Sequence, residues 1–155
     1  MAGLTGRSSA DRLRIVDAAP SVAPWLFFRD LPMPWHTAFN SELRIIESTF
    51  SGLVTPQELG QSVQSAIAIG LREKVGRCLT DCRRIEGGHS LFDLLAQIDG
   101  IQGQSHQVAI KEALIMPATA ESAERAHFWE DACRNRGLNV RIFPEREAAL
   151  VWLCA

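Results

Sequence analysis

The sequence predicts an α/β fold in which a mainly parallel sheet of four to five strands carries an antiparallel edge hairpin and about four helices. The first observation behind this prediction is that apolar, strand-like segments alternate with single helical segments from residue 35 onward. The second is that residues typical of helix starts and stops, such as Thr55-Pro56 and Gly137, border the helical segments. The predicted order is β-β-α-β-α-β-α-β-α.

The hairpin and the first helix have the clearest local signals. Residues 35–39 and 42–50 flank Asn40-Ser41, a pair typical of turns, and this predicts two antiparallel strands. Thr55 then fits a helix N-cap, Pro56 fits the first helical position, and Glu58 can complete a capping box. Apolar residues at helical spacing follow up to Leu71, so a helix is predicted there.

The second half of the chain alternates strands with helices. Its predicted elements are a short strand from residue 77 to Asp81, a helix over 91–100, a strand over 108–116, a helix over 119–136, a strand over 138–142 and a helix from 144 onward. The stretch 100–107 is expected to be a loop, or to continue the preceding helix into an irregular turn. Gly137 is expected to end the third helix.

Composition excludes several classes of function. The 155 residues suit one domain, and a net charge of −2 provides no basic field for a nucleic acid. The chain has no apolar run of about 18 residues and no signal-peptide pattern, so we expect a cytoplasmic protein without a membrane partner. Cys78 and Cys82 lack CxxC spacing, so we predict buried thiols, no metal site and no cofactor; a redox or metal pair is the alternative.

Residues 1–32 differ from the rest, because prolines interrupt an apolar, aromatic stretch. We predict an N-terminal arm over 1–32 and the α/β domain over 33–155. Trp25, Phe27 and Phe28, together with Trp35, are candidate interface residues, because such side chains are rarely left exposed in a free tail. The arm is expected to pack on its own domain or on a second subunit, as in a homodimer.

The corner Gly87-Gly88-His89-Ser90 joins a strand to a helix and allows three interpretations. In the first, the glycines permit a tight turn and Ser90 caps the helix with Asp93 as its acidic partner. In the second, a phosphate on Ser90 is held by free amide groups at the helix start and by Arg83 and Arg84, and switches the binding of a partner.

The third interpretation is a ligand or catalytic site. Ligands in open α/β sheets bind beyond the carboxyl ends of the strands, where Asp81, His89 and Ser90 are expected. A Ser-His nucleophile pair is the weakest version, since adjacent turn residues seldom align for proton transfer and no G-x-S-x-G motif is present.

Four segments resemble the SpoIIAA-like (STAS-like) proteins of bacteria: FSGLVTPQEL, RCLTDCRRI, the strand ending in ALIMP, and NRGLNVRIFPEREAALVWL. The resemblance covers residue 35 to the end. It implies a sheet of four or five strands with helices gathered on one side, in a non-enzymatic switch domain that binds partner proteins. In many such domains a kinase phosphorylates a serine in an Asp-Ser-Ser-Gly motif. Counting from Asp81 places that serine at Ser90, but His89 replaces the acidic residue and Leu91-Phe92 replace Ser-Gly.

We therefore predict a non-enzymatic protein-binding or regulatory module. Its candidate binding residues are Ser90, His89, Gly88, Gly87, Asp81 and Arg84. The alternative is a binding protein for a small apolar molecule, with its pocket at the strand ends near Asp81 and Ser90. An exposed Ser90 at a shallow corner favours the first function, and a closed apolar pocket of several hundred cubic ångströms favours the second.

Overall fold

The computed structural model describes residues 33–104 and 106–155, and residues 33–155 form one compact unit. The predicted arm over 1–32, with Trp25, Phe27 and Phe28, lies outside the described residues. The described elements are β1 (Trp35–Asn40), β2 (Ile45–Leu53), α1 (Pro56–Glu73), β3 (Arg77–Gly87), α2 (Leu91–Gln104), β4 (Lys111–Ile115), α3 (Ala120–Asn135), β5 (Asn139–Phe143) and α4 (Arg146–Cys154). Their order is the predicted one.

The five strands of the described region form one sheet in the order β1-β2-β3-β4-β5. β1 is antiparallel to β2, and the other neighbouring pairs are parallel. The mainly parallel sheet with an antiparallel edge hairpin is therefore confirmed. The register places Cys78 of β3 beside Ile46 and Glu112 of its two neighbouring strands.

Helices cover both faces of the sheet. α1, α2 and α3 cover one face, where their apolar residues join Phe50, Cys82 and Leu114 in the larger core cluster. α4 covers the opposite face through Ala149 and Leu153. Parallel sheets are usually buried on both faces, which explains why their strands are nearly continuous in apolar residues. The arrangement of helices on one side, implied by the resemblance, is correct for three helices and wrong for α4.

The helix starts follow the chemistry expected from the sequence. The Thr55 hydroxyl accepts the Glu58 amide, and the Glu58 carboxylate accepts the Thr55 amide at 2.9 Å, which is a complete capping box. Thr119 caps α3 by accepting the Ser122 amide at 3.2 Å. Gly137 follows the end of α3 with a φ of 80°, a backbone conformation that favours glycine.

The predicted bounds of β2 and β3 were wrong. β2 spans Ile45–Leu53 and not 42–50. β3 continues past Asp81 to Gly87, because its second half still pairs with the carboxyl end of β2. Its charged residues there point outward and are exposed, so they do not oppose strand formation. α2 continues through Gly100 to Gln104, which is the second of the two alternatives expected for 100–107, and packing against the domain outweighs the weak helix propensity of Gly100. No helix of the described residues is both long and apolar enough to cross a membrane.

Candidate functional site

A cavity of about 160 Å³ lies between the sheet and helices α1, α2 and α3. Apolar side chains from both layers dominate its wall, including Phe50, Leu59, Val63, Ile101 and Leu114. These residues are core residues by sequence pattern, so nothing local in the sequence distinguishes the cavity wall from an ordinary core.

Small residues on α1 provide room for the cavity. Ser62, Ala66 and Gly70 are spaced four apart, lie on the same side of the helix and line the cavity. At Gly70 a Cβ atom would lie 2.9 Å from the Val75 carbonyl oxygen, so a larger residue would displace the chain after α1. Because this stripe lacks large side chains, α1 and the sheet do not interdigitate fully along it.

A polar group of three residues lies within the mainly apolar wall. The Thr80 hydroxyl of β3 lies 2.7 Å from Oε1 of Glu112 on β4. The indole Nε1 of Trp129 on α3 donates to Oε2 of the same carboxyl group at 2.9 Å. All three residues line the cavity. Two strands and one helix therefore fix the orientation of a single carboxyl group.

The environment of Glu112 disfavours its charged form. Burial raises the pKa of this carboxyl group, while the hydrogen bonds from Thr80 and Trp129 act in the opposite direction. Burial also raises the pKa of the nearby thiols of Cys78, Cys82 and Cys133, and an ionised Glu112 raises it further. The thiols are therefore neutral at physiological pH and unreactive as nucleophiles.

The cysteines are free thiols, and Cys78 and Cys82 line the cavity from the same face of β3, as their spacing predicts. Within residues 33–104 and 106–155, no three His, Cys, Asp or Glu side chains are grouped so as to hold a metal ion.

Ser90 is exposed and caps α2. Its hydroxyl donates to Oδ2 of Asp93 at 2.7 Å, and its backbone amide donates to the same oxygen at 2.6 Å. The Asp93 amide returns a bond to the Ser90 oxygen at 3.2 Å. These hydrogen bonds from Ser90 lower the pKa of Asp93, which makes its carboxylate a weak base. The contacts are those of a helix cap.

His89 is directed away from Ser90 and is buried beneath the corner. Its ring Nδ1 donates to the Val54 carbonyl oxygen at 3.1 Å. The preceding Gly87 and Gly88 have φ values of 114° and 97°, and a Cβ atom on Gly88 would lie 2.7 Å from that carbonyl oxygen. The glycines therefore let the chain fold tightly over Val54. The Ser-His pair considered from the sequence is not formed, and His89 lines the cavity instead.

Asp81 and Arg84 do not join the corner. Asp81 lies within β3 and forms an ion pair with Arg83 at 2.7 Å, and hydrogen bonds from Arg83 lower the pKa of Asp81. Strand alternation places Asp81 with Leu79 on the α4 face, opposite the cavity. Asp81 and Ser90 themselves do not line the cavity, although the adjacent Thr80, Cys82 and His89 do. The greater length of β3 places the corner six residues beyond Asp81.

Arg125 of α3 is the cation that contacts the corner within the described part of the chain, and it was not predicted from the sequence. Its Nε donates to the His89 carbonyl oxygen at 3.2 Å, and its guanidinium pairs with Glu121 at 2.8 Å. Arg84 is exposed on β3. Arg125 is 35 residues from Ser90 in the sequence, so only the fold brings it there.

Trp35, predicted as an interface residue, begins β1 and packs partly buried against the larger core cluster. Its indole nitrogen is buried and has no hydrogen-bond partner among the described residues. The role of Trp35 at an interface remains a prediction.

Glu112 is the main site residue that the sequence reasoning missed, although a signal was present. In KEALI, strand alternation places Glu112 on the same face as Leu114, and a parallel sheet is buried on both faces. An acidic residue at such a position is expected to be buried. Its partners Thr80 and Trp129 are 32 and 17 residues away, so their contacts depend on the fold.

Comparison with known proteins identifies the fold. No family model and no curated protein matches the chain. The structure is similar to that of an uncharacterised protein of the DUF3478 family from Shewanella loihica PV-4, which has a SpoIIAA-like fold. The two chains are 13% identical, with a TM-score of 0.52, over 77% of this chain and 92% of the other. The domain therefore has a SpoIIAA-like fold, as the resemblance implied.

Proposed function

We propose that this protein binds a small, mainly apolar molecule in the cavity between the sheet and helices α1 to α3. The observation that carries the proposal is the cavity itself, with its apolar wall and one convergent polar group formed by Thr80, Glu112 and Trp129. Apolar pockets with a few fixed polar groups are the usual form of small-molecule sites.

The cavity volume indicates the size of the ligand. A cavity of about 160 Å³ is smaller than the several hundred cubic ångströms expected from the sequence. It is close to the roughly 150 Å³ of an apolar protein cavity that binds benzene. We therefore expect a molecule of about one ring with a short substituent.

The experiment is a titration with 2-phenylpropene, an apolar molecule of this size, followed by methyl NMR. Ala66→Phe places a ring in the cavity, because Ala66 lines it from α1. Ala68→Phe is the matched control, since Ala68 is exposed on the same helix. We expect saturable shifts in wild type and Ala68→Phe, and an affinity more than tenfold weaker in Ala66→Phe. Absence of saturable shifts in wild type, or equal affinity for both variants, would contradict the proposal.

A second candidate function is protein binding at the Ser90 corner, in the manner of a regulatory module. Two observations favour it: Ser90 is exposed, and the next two residues present apolar surface, with Leu91 44% and Phe92 83% exposed. Aromatic side chains of this kind are typical of interface centres. A phosphate on Ser90 would be opposed by Asp93, which already accepts the Ser90 hydroxyl.

The test of this second function compares bound proteins recovered with wild type, Ser90→Ala, Ser90→Asp and Phe92→Ser. Val151→Ser is the control, because Val151 is similarly exposed but lies on α4. A partner lost with Phe92→Ser and kept with Val151→Ser supports the corner as an interface. Identical partners for every variant would remove both the interface and the Ser90 switch.

A further inference from the structure

We propose that Glu112 and Thr80 recognise a hydrogen-bond-accepting group of the ligand, of the carbonyl class found in ketones, esters and amides. This inference rests on the proposed function and specifies the chemistry of the bound molecule. It follows from a count of hydrogen atoms in the polar group, from the charge of its surroundings and from its position in the cavity wall.

When Glu112 is neutral, the three side chains carry one more hydrogen-bond donor than they use in bonds with one another. Glu112 then has one O–H, Thr80 has one O–H and Trp129 has one N–H. The three side chains make only two contacts with one another, at 2.7 Å and 2.9 Å, and no third contact to another described residue accompanies them. One O–H hydrogen, on Glu112 or on Thr80, therefore has no acceptor from the described protein.

The charges around Glu112 favour that neutral form. None of the ion pairs among the described residues includes Glu112. The neighbouring Lys111 points to the other face of the sheet, where its ammonium group donates to the Trp152 carbonyl oxygen. The thiols of Cys78, Cys82 and Cys133 interact with the Glu112 charge, and their raised pKa keeps them neutral. His89 and Arg125 also line the cavity, but they bond to the Val54 carbonyl and to Glu121 and not to Glu112.

The position of the leftover hydrogen points to a ligand. Thr80 and Glu112 both line the cavity, whose remaining wall is mainly apolar. Most other polar side chains of the wall already have protein partners: Ser48 and Ser62 bond to Thr37, Ser122 to the Ile85 carbonyl, and His89 to the Val54 carbonyl. Arg125 bonds to the His89 carbonyl and Glu121, and Gln104 lines the wall from the end of α2. A buried donor without an acceptor is unfavourable, so a ligand carbonyl oxygen gains affinity by accepting it. An ionised Glu112 would instead favour a cationic ligand.

Three probes of matched shape distinguish these cases: 2-phenylpropene, acetophenone, in which C=O replaces C=CH₂, and the 1-phenylethylammonium cation. Affinities are measured for wild type, Glu112→Gln and a triple variant that combines Glu112→Leu with Thr80→Val and Trp129→Phe, with Glu86→Leu as a control because Glu86 is exposed outside the cavity. The triple variant is needed because Glu112→Leu alone would free the Thr80 O–H and the Trp129 N–H as donors. Comparing the ratio of acetophenone to 2-phenylpropene affinity between variants cancels the different hydration of the two probes. If the triple variant fails to fold, the carbonyl band of acetophenone bound to wild type still tests the inference.

We expect the triple variant to lower this ratio about fivefold, the value of one ordinary hydrogen bond, because it leaves no donor of the polar group, while Glu112→Gln and Glu86→Leu change the ratio less than twofold. The infrared carbonyl band of bound acetophenone should lie below its position in alkane for wild type and Glu112→Gln, and return to that position for the triple variant.

Two results would overturn the inference while leaving the proposed function intact. One is binding of 2-phenylpropene together with an alkane-like carbonyl band for acetophenone in wild type. The other is a preference for the cation that depends on Glu112. Failure of wild type to bind 2-phenylpropene and acetophenone would overturn the proposed function and this inference together.

Discussion

The two faces of the sheet differ in how completely they are filled. On the α4 face, Ile45, Leu79, Ala113 and Ile115 pack with α4, and each is at most 1% exposed. On the opposite face, the same strands present Cys78, Thr80, Glu112 and Leu114 to a cavity beneath three helices. Neighbouring residues of the same strand therefore alternate between the closely packed, closed α4 face and the open face that borders the cavity.

This difference indicates a division of roles within one sheet. The closed face contributes stability through dense packing, since an apolar core without voids gains the full dispersion energy of its contacts. The open face loses part of that energy and also buries a carboxyl group. We interpret this face as the binding face.

The largest expected effect is a difference between two leucine truncations. Leu79→Ala on the closed face should lower the free energy of unfolding by about 4 kcal/mol, because its neighbours leave no room to relax. Leu114→Ala should cost about 2 kcal/mol, because Leu114 already borders empty space. Urea unfolding measures both values. Equal losses would contradict the difference between the faces.

The next effect comes from enlarging two alanines. Ala113→Leu overfills the closed face and should cost about 2 kcal/mol. Ala66→Leu extends into the cavity and should change stability by less than about 1 kcal/mol, with a gain where the new methyl groups fill space. Thermal unfolding of the two variants beside wild type is the measurement. A loss for Ala66→Leu as large as that for Ala113→Leu would show that the cavity is closed in solution.

Opposite dependence on pH should distinguish one acid on each face. The pKa of Glu112 is raised by burial, so its folded form holds a proton that the unfolded chain releases above about pH 4.3. The stability of wild type relative to Glu112→Gln should therefore fall as the pH rises from 4 to 8.

Asp81 should behave in the reverse sense, because hydrogen bonds from Arg83 lower its pKa. Its stabilising effect relative to Asp81→Asn is present above about pH 3.9 and is lost as the pH falls through the folded pKa. The measurement is the free energy of unfolding over pH 2 to 8 for wild type, Glu112→Gln and Asp81→Asn. The difference from wild type should change with pH in opposite directions for the two variants. The same direction for both variants would contradict this account.

The smallest effect concerns the Ser90 corner. Ser90→Ala removes the cap of α2 and should cost about 1 kcal/mol, whereas Ser90→Asn should retain most of the stability. Neither variant should change the affinity for 2-phenylpropene, because Ser90 does not line the cavity. Calorimetry with each variant checks both statements, and weaker probe binding by Ser90→Ala would connect the corner to the cavity.

Local signals predicted the fold well, because strand and helix periodicity and end-capping depend on nearby residues. The Thr55 capping box and the Gly137 stop were read directly from the sequence, and both are present. The end of β3 was placed too early, because pairing with distant β2 overrides the run of charged residues after Cys82. The side on which α4 packs was also not predictable from residues 144–155 alone.

The candidate site was predicted poorly, for a related reason. The glycines, His89 and Ser90 attract notice because they are unusual within a short segment. The cavity instead depends on small residues of α1 that face residues of several strands and of two other helices, so only the fold brings its wall together. Glu112 alone carried a usable signal, as an acid placed by alternation on a buried face of β4.

The most direct test of the binding face is to measure nuclear Overhauser effects between bound 2-phenylpropene and the leucine methyl groups of wild type. Leu114 and Leu79 report on the two faces, since Leu114 of β4 lines the cavity and Leu79 of β3 packs against α4 on the opposite face. We predict cross-peaks from the probe to the methyl groups of Leu59 and Leu114, and none to those of Leu79 and Leu153. Cross-peaks to Leu79 and Leu153 alone, or to none of the four, would contradict the assignment of the cavity as the binding site.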